Sequence, residues 1–186
     1  MAATSTGITL SSDFYLSGFY KANRNVRKAS GRTELTSTEL SYEDSRALSR
    51  AVKKLASFDL SEEDNLDNLK NSISAFADTY NNAISSSSKN DASEINKYAK
   101  QLKKLATKYS DELEDIGISI KSDGSMKVNS SLLSSSKIDK IKQVFSKENS
   151  GFLKETQQIA RRLNSNAYDS VYTQMTGNGG RINIIL

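Results

Sequence analysis

The sequence predicts a mainly α fold, an elongated antiparallel helical hairpin or bundle that carries a small β-hairpin. Three observations lead there. Apolar residues recur at steps of three and four along two successive stretches joined by a short polar segment. An Asp-Gly pair sits between two short alternating runs. The 186 residues include no proline, the main breaker of helix interiors. With 36% hydrophobic residues and a mean hydropathy of -0.57, the expected core is thin, which suits helices joined along narrow seams better than a globule around a large pocket. The chain length fits one core.

Residues 1–37 read as a flexible or docking N-terminal arm. They are rich in Ser, Thr, Gly and Asn, with one aromatic cluster, Phe14, Tyr15, Phe19 and Tyr20, followed by a basic stretch from Lys21 to Lys28. No helical period runs through the whole segment. Two readings follow: a short element that docks its aromatics on the body, or an arm that orders against a partner.

Residues 38–176 read as the helical domain. A first helix is expected from Ser41, where Ser-Tyr-Glu-Asp44 resembles a capping box, with Leu48, Val52 and Leu55 as its apolar positions. A second is expected after Ser61, with acidic residues in its first turn. Its seam is the strongest period in the chain: Leu66, Leu69, Ile73, Phe76, Tyr80 and either Ala83 or Ile84. Ser85 to Ser88 with Lys89-Asn90 then reads as a polar loop, and Asp91-Ala-Ser-Glu94 as the cap of a third helix on Ile95, Tyr98, Leu102, Leu105, Tyr109, Leu113 and Ile116. Each arm of this hairpin has about 25 residues and spans roughly 38 Å. Tyr80, Tyr98 and Tyr109 stand in the seam with polar tips that need hydrogen-bond partners, so the seam is expected to be partly wet or shared with another chain.

Gly117 ends that helix, and the runs Ile118 to Ile120 and Met126 to Val128 flank Asp123-Gly124 as a β-hairpin near residues 118–128. Leu132, Leu133, Ile138, Ile141, Val144 and Phe145 then read as one short helix or two broken ones. A last helix is expected from Ser150-Gly151 on Phe152, Ile159, Leu163, Ala167, Val171 and Met175. Residues 177–186 form a Gly-rich hinge and an apolar tail with Ile182, Ile184, Ile185 and Leu186. The tail's alternation suits an added strand, paired with the hairpin of this chain or with a neighbour's sheet edge.

The composition says more about which chemistries to set aside than about which to expect. The chain has no His and no Cys, which removes the commonest catalytic and transition-metal side chains and any disulfide framework. Its serines sit in caps and polar stretches, without a Gly-x-Ser-x-Gly elbow, and Gly177-Asn-Gly-Gly180 lacks the Lys-Ser/Thr of a phosphate loop. Glu112, Glu114 and Asp115 read as a solvated helix end, and the Asp-Gly turn is too short for a calcium loop. No catalytic residue, metal or cofactor is expected. The net charge of +4 is dispersed in pairs such as Arg27-Lys28, Lys53-Lys54, Lys103-Lys104 and Arg161-Arg162 beside acidic clusters, so a nucleic-acid partner is not expected. Neither a membrane span nor a Sec-type leader is predicted.

Two stretches, Ala75-Phe76-Ala-Asp-Thr-Tyr80-Asn81-Asn-Ala-Ile84 and Ile116-Gly117-Ile-Ser-Ile-Lys-Ser-Asp123-Gly124-Ser-Met-Lys-Val128 with its following Leu-bearing helix, resemble the C-terminal region of the flagellar filament-capping family, flagellar hook-associated protein 2. That family carries an F-x-x-x-Y-N helix and a G-I-S-x-x-x-D-G-x-x-x-V/L hairpin in the same order, and the resemblance covers roughly residues 62–175. It implies a non-enzymatic structural protein of the bacterial flagellum, exported through the flagellar apparatus, that self-associates through helical segments or binds flagellar axial proteins. The chain departs from the family in lacking its Gly-Leu-Ala-Ser-Gly-like N-terminal helix and its mid-chain variable domains. The reading that stands beside it is a cytoplasmic helical adaptor or chaperone-like binding protein built on the same unit.

Overall fold

The computed structural model of the chain describes residues 8–58, 66–146 and 151–177, most of them helical. The first described elements are α1 (Ser12–Phe19), a 3-10 turn (Arg24–Arg27) and α2 (Ala29–Arg32). They lie on the body of the protein. Tyr15, Phe19, Tyr20 and Val26 are buried, and α1 packs against the two helices that follow. The strand of chain before α1 is strapped down as well: the Leu10 amide donates to Asn68 Oδ1 at 2.7 Å, and Asn71 Nδ2 donates to the Leu10 carbonyl at 2.9 Å.

Helix α3 (Ser37–Leu55) begins four residues earlier than the Ser41 start expected from the sequence. Thr36 caps it, and Glu39 completes a true capping box: the Thr36 hydroxyl accepts from the Glu39 amide at 3.2 Å, and the Glu39 carboxylate accepts from the Thr36 amide at 2.9 Å. Ser41 and Asp44 instead lie inside the helix, both fully buried, with the Ser41 hydroxyl donating back to the Ser37 carbonyl. The proposed cap at Ser61 lies outside the described residues. Helix α4 (Leu66–Ser88) carries the strong seam, and the four serines read as a loop are its final turn. Small size explains this. Ser86 and Ser87 are buried, and the Ser86 hydroxyl returns to the Asn82 carbonyl at 3.0 Å, which satisfies it within the helix.

Helix α5 (Ser93–Lys108) starts after Ala92 without a side-chain cap, so Asp91 does not play the part read for it. Asn90 organises the turn instead, accepting from the Ala92 amide at 2.9 Å and donating to Thr38 Oγ1 at 3.1 Å. The long third helix breaks at Tyr109 into α5 and a short α6 (Ser110–Glu114). Strands β1 (Ile118–Ile120) and β2 (Met126–Val128) form the antiparallel hairpin, with Ile118 opposite Val128 and Ile120 opposite Met126. Two short helices follow, α7 (Ser130–Ser135) and α8 (Ile138–Phe145), and then α9 (Gly151–Thr176).

Helices α3, α4, α5 and α9 make an antiparallel four-helix bundle. Around the square, α3 packs on α4 and α9, while α5 packs on the same two helices. Directions follow from cross-helix bonds. Asn90 after α4 meets Thr38 at the start of α3, Asn96 of α5 donates to the Ser88 carbonyl at 3.0 Å, and Asn166 of α9 donates to Tyr98 Oη of α5 at 3.0 Å. Asn164 of α9 donates to Ser45 Oγ of α3 at 3.1 Å, so every neighbouring pair runs antiparallel.

The thin-core expectation gives way to a different economy. Helix α4 buries Ser72, Ala75, Ala77, Thr79, Ala83, Ser86 and Ser87 beside its large residues, so small side chains let neighbouring helices approach on several sides. One aromatic cluster stands out, where Phe76, Phe145 and Phe152 meet edge to face at centroid distances of 5.6 to 6.1 Å and Tyr109 adds its ring to Phe152 at 5.6 Å. This cluster ties α8 and the start of α9 to α4.

Candidate partner-binding surface

The seam residues fill this chain's own interior. Leu69, Ile73, Phe76, Tyr80, Ile84, Ile95, Tyr98, Leu102, Leu105 and Leu113 are buried, and Leu66 and Tyr109 are partly buried against the same core. The tail residues Ile182, Ile184, Ile185 and Leu186 lie outside the described residues. The three seam tyrosines each find a hydrogen-bond partner inside the chain. Tyr80 Oη donates to the Leu102 carbonyl at 2.6 Å, Tyr98 Oη accepts from Asn166, and Tyr109 Oη donates to Glu155 Oε1 at 3.0 Å. Burial pushes the Tyr80 phenol far above its ordinary range. Lys108 Nζ also reaches Glu155 Oε1 at 2.7 Å, and this hydrogen bond, with help from Tyr109, holds the Glu155 carboxyl below its usual range.

The stretch of α4 around Tyr80 and the β-hairpin touch each other. Asn81, the residue after Tyr80, donates through Nδ2 to the Met126 carbonyl at 2.9 Å and accepts through Oδ1 from the Met126 amide at 2.7 Å. Gly124 at the hairpin tip, at φ +83, lies over the Lys103 side chain. Asn81 thus joins α4 to β2 through two hydrogen bonds.

A polar cluster that the sequence does not reveal locks the N-terminal segment to the bundle. Asp44 is fully buried and accepts from Arg32 through both oxygens, at 2.9 and 2.7 Å, and from Tyr20 Oη at 2.6 Å. Asn82 of α4 donates to Tyr20 Oη at 3.0 Å. Burial raises the Tyr20 phenol well above its usual range, and the Asp44 charge adds to the rise. Burial alone would lower the Arg32 value, but the hydrogen bond and charge of Asp44 outweigh it and raise it. Arg50 completes the attachment by donating to the Phe19 carbonyl at 2.7 Å.

With the seams occupied, three of the six exposed large apolar side chains among the described residues stand together on the distal half of α9, the others being Ile8, Phe14 and Leu132. Tyr168 is 51% exposed, Tyr172 40% and Met175 82%. The rings form a ladder: Arg46 lies over Tyr42 at 5.1 Å, Tyr42 packs on Tyr168 at 5.8 Å, and Tyr168 stacks on Tyr172 at 6.3 Å. Along the same outer face towards the helix start stand Gln158, Arg161, Arg162 and Ser165, all exposed. The sequence reading placed Val171 and Met175 on the packed stripe of this helix. In the fold α3 begins at Ser37, beside the cleft that Asp169, Ser170 and Thr173 line, so the last turn of α9 has little to pack on.

That cleft, of about 640 Å³, is lined mostly by polar residue types and holds Asp91, Glu94 and Asp169 without a basic side chain. Among the described residues no group of three or more carboxylates, His or Cys is arranged to hold a metal ion, and no helix is long and apolar enough to cross a membrane. The fold and surface together define a helical bundle with a β-hairpin insert and an exposed aromatic ridge. Comparison with protein-family models, curated proteins and solved structures found no match to this chain.

Proposed function

We propose that this chain is a non-enzymatic assembly protein that engages a protein partner through the tyrosine ridge of α9. The observation behind this reading is the contrast between interior and surface: the heptad seams are filled by the chain itself, while three large apolar side chains remain exposed together on one helix face. Tyrosine, arginine and methionine are the residue types enriched at the centres of protein interfaces. Tyr42, Tyr168, Tyr172, Arg46, Arg161, Arg162 and Met175 supply them here. The motifs around Phe76-Tyr80-Asn81 and Gly117 to Val128 support a setting like that of the flagellar filament cap, with axial proteins or further copies as partners.

A benzophenone amino acid in place of Tyr172 tests the reading in the native cells. Ultraviolet light should yield a discrete cross-linked product whose partner mass spectrometry identifies. A chain that cross-links to no protein from position 172 refutes the proposal, and a partner outside the flagellar apparatus refutes the flagellar setting alone.

A further inference from the structure

Building on the partner-binding reading of the α9 ridge, we infer that its partner is a second copy of this chain, with the two α9 helices packed antiparallel about a two-fold axis at Ser165. The argument rests on the arrangement of exposed residues along α9. Gln158, Arg161, Arg162, Ser165, Tyr168, Asp169 and Tyr172 all fall within about 60° of Ser165 on the helix wheel at 100° per residue. The half before Ser165 is cationic and the half after it is aromatic and acidic. A two-fold axis brings each half against the opposite half of the other copy, so the stripe is complementary to itself.

The pairings follow from rise and angle. Arg162 stands three residues before Ser165 and Asp169 four after, on the flank facing α5, so Arg162 meets the second copy's Asp169 with an axial mismatch of about 1.5 Å. On the α3 flank, Arg161 and Tyr168 stand four before and three after, and the guanidinium meets the face of the second copy's Tyr168. Gln158 and Tyr172, seven residues to either side, come level with each other. Neither Arg162 nor Asp169 has an ion-pair partner among the described residues, so both charges are free to make this contact. Tyr42 and Arg46 widen the surface on the α3 side, because Tyr42 already packs on Tyr168. Ser165 at the crossing is small enough for helix axes about 8–10 Å apart. Such a contact lies near the small end of specific interfaces, so the dimer is expected to be weak and concentration-dependent.

The chain has no cysteine, which makes the geometry directly testable. With a helix radius of about 2.3 Å, the two Ser165 Cα atoms would lie about 3.4–5.4 Å apart, a range that overlaps disulfide spacing. The full-length Ser165→Cys protein should form a covalent dimer on mild oxidation at least tenfold faster than Ser119→Cys, an exposed cysteine on the hairpin. In sedimentation equilibrium, Arg162→Asp and Asp169→Arg should each weaken self-association about tenfold, and the double exchange should restore it to within about threefold. Equal oxidation of the two cysteine variants, or a double exchange as monomeric as the single ones, overturns the inference. Circular dichroism checks that every variant stays folded. If Tyr172 cross-links to a different protein while Ser165→Cys fails to dimerise, the partner-binding reading stands and self-pairing is refuted. If no cross-link forms at all, both are refuted.

Discussion

Replacing Asp44 with alanine attacks the lock between the N-terminal segment and the bundle at its centre. The carboxylate is fully buried and takes three hydrogen bonds, two from Arg32 and one from Tyr20. Its loss strands a guanidinium whose side chain is 19% exposed, together with a buried phenol. Breaking a buried ion pair by removing one partner costs about 3–5 kcal/mol. Arg32 retains its bond to the Val26 carbonyl at 3.3 Å and some access to water, which places this case near 3 kcal/mol. For a chain of this size each kcal/mol moves Tm by about 2–4 °C, so the melting temperature should fall by roughly 6–12 °C. Thermal and urea unfolding followed by circular dichroism measure the global effect, and hydrogen exchange should show amides of α1 and α2 losing protection ahead of α4. A second variant separates lost charge from lost packing: Asp44→Leu combined with Arg32→Met and Tyr20→Phe removes both buried charges and the buried phenol, leaves only part-buried Asn82 and the Val26 carbonyl short of one bond each, and should recover most of the stability. A Tm within about 2 °C of the wild type for Asp44→Ala would show that this cluster does not hold the segment in place.

Gly117 sits at φ +83 between α6 and β1, and a Cβ there would lie 2.7 Å from the Leu132 Cβ, so Gly117→Ala should destabilise by more than about 1 kcal/mol in urea titration, and a neutral result would mean that α7 is not packed against this turn. Tyr20 and Tyr80 both have phenols raised above the usual value near 10, so the unfolded chain loses these protons first and folding stability, complete below about pH 10, should fall as the pH rises beyond it. Urea midpoints at pH 8, 9.5 and 11 measure the slope, which Tyr80→Phe should reduce; a midpoint unchanged up to pH 11 contradicts the burial of both rings.

What could be read from the sequence was local and periodic. The seams of α4 and α5 were legible because Leu69, Ile73, Phe76 and Tyr80 repeat on one face, and the hairpin because Asp123-Gly124 separates two alternating runs. The boundaries that moved did so through contacts distant in sequence. Asp44 resembles a cap residue until Arg32 and Tyr20 claim it, and Ser85 to Ser88 resemble a loop until the packing around α4 buries the small side chains of Ser86 and Ser87 in its last turn. The tyrosine hydroxyls were known to need partners, yet Asn166 for Tyr98 and the Leu102 carbonyl for Tyr80 follow only from how four helices assemble. The α9 ridge was hidden for a related reason. Its period continues the buried stripe towards Met175, and only the position of α3 determines where packing stops.

The side-chain amide of Asn81 has the same donor and acceptor as a peptide group, and it meets both the amide and the carbonyl of Met126 on the side of β2 turned away from β1. One residue of a helix thus stands in for a third strand. A two-stranded sheet ordinarily leaves such positions open as a template for other chains. Here the residue that fixes the hairpin's register against α4 also closes that edge at Met126, so the sheet is kept from growing on this side without needing a longer β structure.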